Sequence, residues 1–113
     1  MSEKYTIRSA DASDSSGVKL LLEELEGRAF YQDIFSRIYT EYLEAPLTLI
    51  FVATQEEGEI IGFISCKGQS LLHHEGLVFE IQELVVTADH QGRGVGRKLI
   101  DVLKSELTRL EAK

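Results

Sequence analysis

The apolar residues of this chain recur at two periods. Val18, Leu21, Leu22 and Leu25 stand at i, i+3, i+4 and i+7, the spacing of one helical stripe. Ahead of them "DASD" offers Asp14 or a neighbouring serine as acceptor for the free N–H groups of a helix start, and Gly27 offers a stop. Ile34, Phe35, Ile38 and Tyr42 repeat the helical spacing between about Tyr31 and Leu43. Together with Tyr31 and Tyr39 they read as a core-facing stripe, with a tyrosine-lined pocket as the alternative. Pro46 closes the helical region. Then the period changes. "LTLIFVAT" is β-branched and apolar, "QEEGE" turns at Gly58, and "IIGFISCKG" returns, which predicts a hairpin. "QSLLHHEG" reads as a loop and "LVFEIQELVV" as a further strand. Val95, Leu99, Val102, Leu103, Leu107 and Leu110 mark the buried face of a last helix. With "KYTIRSA" as a short first strand, the order is β-α-α-β-β-β-α. The expected fold class is α+β (mixed α/β), a mainly antiparallel sheet flanked by helices in one domain, residues 1–113.

Composition agrees with a soluble globular chain: 43% hydrophobic and 27% charged residues. No apolar run approaches the ~20 residues of a membrane span, and the first residues lack a signal-peptide layout. The cytoplasm is the expected compartment, with no membrane partner. The single cysteine, Cys66, lies in a strand pattern and reads as a small buried hydrophobe. His73 and His74 are adjacent, so on a strand they would point to opposite faces; no metal site is expected. The net charge of −7 argues against nucleic-acid binding and is compatible with a cationic substrate such as an amine.

Three glycines, Gly92, Gly94 and Gly96, fall between the last strand and the last helix. Two phosphate motifs fail there. The dinucleotide fingerprint G-x-G-x-x-G meets Arg97 or Leu99 where its third glycine belongs, and G-x-x-x-x-G-K-[ST] meets Arg97 at its second. What remains is Q-x-x-G-x-G, from Gln91 to Gly96. It still makes an anion seat, because bare amides precede the positive end of a helix. Arg93, Arg97, Lys98 and Lys104 against Asp101 give this segment a charge of +3 inside an acidic chain.

"LVVTADHQGRGVGRKLI" resembles the coenzyme A signature of the GNAT family of N-acetyltransferases. "TIRSAD" and the hairpin "IFVATQEEGEIIGFIS" fit the same family. The resemblance implies acetyl-CoA as cosubstrate, its pyrophosphate held by Gln91, Gly92, Arg93, Gly94, Val95, Gly96 and Arg97. It also implies that the main chain of Leu84 and Val86 holds the pantetheine arm and meets the oxyanion. "HH", five residues, then "EIQELVV" is similar to the aminoalkylphosphonate N-acetyltransferase branch, which implies a small primary amine as acceptor.

Transfer to an amine requires that the amine lose a proton and that a donor meet the oxyanion. Glu80, eleven residues before Gln91, is the expected base, acting through water, and its partly apolar strand should raise its pKa. Strand alternation predicts Glu80, Gln82, Leu84 and Val86 on one face and Ile81, Glu83 and Val85 on the other, with Glu83 structural. The family continues beyond this helix, whereas the sequence stops at Lys113, so the fold is expected to be truncated after its third helix, with no residue assignable as general acid. Three readings follow: a short acetyltransferase, a homodimer completed across the exposed edge of the fourth strand, or a non-catalytic acyl-CoA-binding module.

Overall fold

A computed structural model describes residues 4–111 of the chain. Its elements are β1 (Tyr5–Ser9), α1 (Ser15–Glu26), α2 (Gln32–Glu44), β2 (Thr48–Gln55), β3 (Ile60–Leu71), β4 (Gly76–Val86) and α3 (Val95–Glu111). The order is the predicted one. The four strands form one antiparallel sheet in the order β1-β2-β3-β4, so β4 is an edge strand.

Asp14, an expected cap, does precede α1, but its side chain makes no cap bond to that helix and instead closes a 3-10 turn at residues 12–14. Asp11 accepts from the Ser13 N–H at 2.9 Å, and Asp14 reaches back to the Asp11 N–H at 2.8 Å, a reciprocal capping box. The Asp14 carboxylate is buried and also receives both Arg8 guanidinium nitrogens, at 2.8 and 2.9 Å. Those bonds hold its pKa below the usual carboxylate range. Gly27 ends α1, donating its N–H to the Glu23 carbonyl.

The sheet is covered on both faces. Val18 and Leu21 of α1 and Tyr39 of α2 bury against Val52, Phe63 and Val85. Val95, Leu99 and Leu103 of α3 bury against Ala53, Ile64 and Cys66. Burial also pushes the Cys66 thiol pKa up, which leaves it an inert hydrophobe. α3 lies close to β3 because Gly62 has no side chain. A β-carbon there would stand 3.0 Å from Leu99 and 3.2 Å from Val95.

Two departures from the expected strands shape the site. The segment "QSLLHHEG" is not all loop: β3 runs on to Leu71, and only a short 3-10 turn at residues 72–74 and Glu75 separate it from β4. His73 is exposed on that turn, and the His74 side chain lies outside the described part. The second departure is a bulge. Glu83 pairs with Ser65 and Ile81 with Cys66, so Gln82 has no opposite number.

Candidate functional site

The bulge resets the alternation of β4. Predicted to face apart, Glu80 and Glu83 share one face, because Gln82 is an extra residue between them. The register puts Glu83 opposite Ser65 and Glu80 opposite Lys67, and Ser65 and Lys67 are two apart on β3. Glu80 itself is exposed to solvent rather than set among apolar neighbours.

Glu83 is half-buried and tightly held. The Tyr42 hydroxyl lies 3.0 Å from each of its carboxylate oxygens, and Ser65 Oγ donates to Oε1. Its own N–H donates to Ser65 Oγ at 3.0 Å. Ser65 is fully buried, so the carboxylate is anchored from below. Burial first, then the neighbouring Glu83 charge, pushes the Tyr42 pKa up to about 12, so its hydroxyl stays a donor through the neutral range. Lys67 Nζ sits 4.3 Å from the centre of the Tyr42 ring.

This carboxylate stands in the wall of a cavity of about 760 Å³ between α1, α2 and β4. Phe30, Phe35 and Tyr39 line it, and their rings stack in series at centroid distances of 6.1 and 6.0 Å. The loop bearing Phe30 is fixed by a bond from its N–H to Glu23 at 2.8 Å, and Glu23 is paired in turn with Lys19 at 2.9 Å. The helical stripe therefore has two duties. Tyr39 is core, whereas Ile34 and Ile38 remain 47% and 42% exposed and line the cavity, as does Tyr31.

At the far end of β4 the chain passes into the glycine turn. The Thr87 N–H bonds the Ile61 carbonyl, on the β3 side. Two-residue alternation then turns the N–H groups of Val86 and Leu84 the other way, off the free edge of the sheet. The Gln91 side-chain amide donates to the Val86 carbonyl at 3.0 Å. His90 bridges Thr87 Oγ1 at 2.8 Å and Gln55 Nε2 at 3.1 Å, and Glu24 of α1 accepts from the Ala88 N–H at 3.3 Å. These bonds fix the turn to β2, β4 and α1.

Gly92 and Gly94 hold φ of +78° and +87°, a region that suits glycine, and a β-carbon on either would enter open space. The Lys98 N–H to Gly94 carbonyl bond, 3.0 Å, opens the α3 ladder. The N–H groups of Val95, Gly96 and Arg97 lie ahead of it at the positive end of the helix. Val95 is buried, while Gln91, Arg93 and Arg97 are exposed on this turn. Lys98 turns aside, with Nζ 5.5 Å from the centre of the Tyr5 ring. The turn thus fits a phosphorylated group: bare amides, a helix start and two guanidinium side chains around a backbone with no β-carbon in the way.

Sequence reasoning placed the glycine turn and the strand before it. The Tyr42–Ser65–Glu83 cluster was not foreseen, although the bonds that anchor Glu83 agree with its reading as structural. The three residues are far apart in the chain and meet only because β3 pairs with β4 under α2. The tyrosines on α2 were the one signal of it. Among the described residues no three His, Cys, Asp or Glu side chains cluster as for a metal, and no helix is long and apolar enough to cross a membrane.

Residues 18–112 match the acetyltransferase (GNAT) family. The chain is 31% identical over 99 residues to the aminoalkylphosphonate N-acetyltransferase of Salmonella typhimurium, covering 83% of this chain and 60% of that protein. It therefore spans about three fifths of that relative's length. Among solved structures it is similar to an acetyltransferase of Trypanosoma brucei, with 25% identity and a TM-score of 0.78 over 94% of this chain and 75% of that one. It is also similar to glucosamine-6-phosphate N-acetyltransferase of Arabidopsis thaliana, with 23% identity and a TM-score of 0.79 over 96% of this chain and 77% of that one.

Proposed function

The chain belongs to the acetyltransferase (GNAT) family, and on that premise we propose that it is an N-acetyltransferase that moves an acetyl group from acetyl-CoA directly to a small primary amine. The observation that carries this reading is the continuity of the site. One strand, β4, runs from a cavity containing a carboxylate to a turn of bare amides ahead of a helix, an arrangement that suits a phosphorylated ligand. The amides and side chains of residues 91–97 would hold the pyrophosphate of the cosubstrate. When bound, acetyl-CoA supplies the activated acyl group.

The residues of the chain then have separate tasks. Glu80 takes the proton of the amine through water, its exposed position giving the proton a way to solvent. Glu83, on the same face and inside the cavity, faces the amine. The N–H groups of Leu84 and Val86, off the β4 edge, meet the negative charge that develops on the acyl oxygen. A second copy adding its strand along this edge would compete for the same N–H groups.

Thiol release from acetyl-CoA with a panel of primary amines tests the reaction, with calorimetry of acetyl-CoA alongside. Glu80→Gln is expected to lower kcat by about 10²–10⁴-fold with the affinity for acetyl-CoA unchanged. Arg97→Ala should weaken acetyl-CoA binding instead. Binding of acetyl-CoA with no turnover on any amine would leave a non-catalytic acyl-CoA-binding module, and absence of binding would remove both readings.

A further inference from the structure

The walls of the cavity say more about the acceptor than the reaction class does, and the step rests on the acetyl-transfer reading above. Its charged lining residues are Glu26, Arg28 and Glu83, two carboxylates against one guanidinium. Arg28 is exposed at the rim, its guanidinium 4.7 Å from the centre of the Phe30 ring. An acceptor with an anionic arm would therefore meet net negative charge, two carboxylates against the one guanidinium stacked on Phe30. A cationic amine head meets Glu83, which Tyr42 and Ser65 hold in place. Around that carboxylate the walls are rings and branched aliphatic chains. Leu25, Tyr31 and Ile34 are 58%, 78% and 47% exposed there, an apolar rim that gains by being covered.

We infer that the acceptor is a primary amine on a short chain ending in an aromatic or branched apolar group. Its ammonium sits at Glu83, and its apolar end lies on the Phe30–Phe35–Tyr39 ring series. The chemistry differs from that in the name of the Salmonella relative, whose substrate class carries a phosphonate.

Calorimetry on the full chain, with 2-phenylethylamine and 2-aminoethylphosphonate as probes and no acetyl-CoA present, decides between the two. The aryl amine should bind at least about tenfold tighter than the phosphonate. Glu83→Gln, which keeps the shape, should weaken the aryl amine about tenfold, and so should Tyr31→Ala, at an exposed site that does not support the fold. Equal or tighter binding of the phosphonate overturns the inference. So does absence of aryl-amine binding, which would mean that a protein segment or nothing occupies the cavity, and so does indifference to both variants. Turnover separates this from the broader proposal. Acetylation that favours the phosphonate keeps the acetyl transfer and removes the apolar acceptor. Tight aryl-amine binding without turnover keeps the apolar site and removes the transfer.

Discussion

Tyr42 carries a charge balance that a single substitution exposes. Its pKa stands at about 12 in the fold, through burial and then the Glu83 charge, against about 10 in an unfolded chain. A group raised in this way contributes stability that is whole below pH ~10 and is lost as pH rises from there through about 12. Tyr39, raised to about 12 by burial and then by Asp14, titrates in the same window. Stability measured by urea unfolding should fall across it. In Tyr42→Phe that fall should be shallower, and stability at neutral pH lower by about 1–3 kcal/mol, because Glu83 keeps its burial and loses a donor. An unchanged neutral stability would mean that water replaces the hydroxyl without cost. At this scale the bare backbone of the glycine turn was legible from residue type, while the positive φ of Gly92 and Gly94, which Gly96 does not share, was not. The Tyr42–Glu83 pair was not, because the hydrogen bond joins residues 41 apart in the chain.

Among the elements, the contact of α3 with the sheet is the most constrained. Val95 and Leu99 come close enough to Gly62 that an added methyl cannot be accommodated without displacing them. Gly62→Ala is therefore expected to cost about 1–3 kcal/mol and to lower the melting temperature, whereas the same change at an exposed helix position would help. A neutral Gly62→Ala variant would show that α3 shifts freely on β3. The helices and strands themselves follow from periodicity, which is a local property, and their ends agree with the sequence reading to within a few residues. The bulge at Gln82 does not. Nothing local in "EIQELVV" says that one residue will lack an opposite number; the pairing of β3 with β4 decides it.

For the molecule as a whole the open question is the β4 edge. Strand addition by a second copy would pair two edges of a chain carrying a net charge of −7, so repulsion opposes it and salt should strengthen it. Sedimentation velocity should show a dimer whose population grows with protein concentration and with ionic strength; a monomer under every condition would end that reading. Taken alone, the sequence determined the order of elements, the buried face of α3, that of α1 except for the exposed Leu25, and the bare-amide turn ahead of α3. Each depends on spacing along the chain or on the absence of a side chain, and both are read one residue at a time. Tertiary structure alone decided that Glu80 and Glu83 share a face, that the α2 stripe lines a cavity as well as closing a core, and that Tyr42, Ser65 and Glu83 meet. Those outcomes depend on strand register and on how far two helices stand apart over a sheet, which are set by packing between residues distant in sequence.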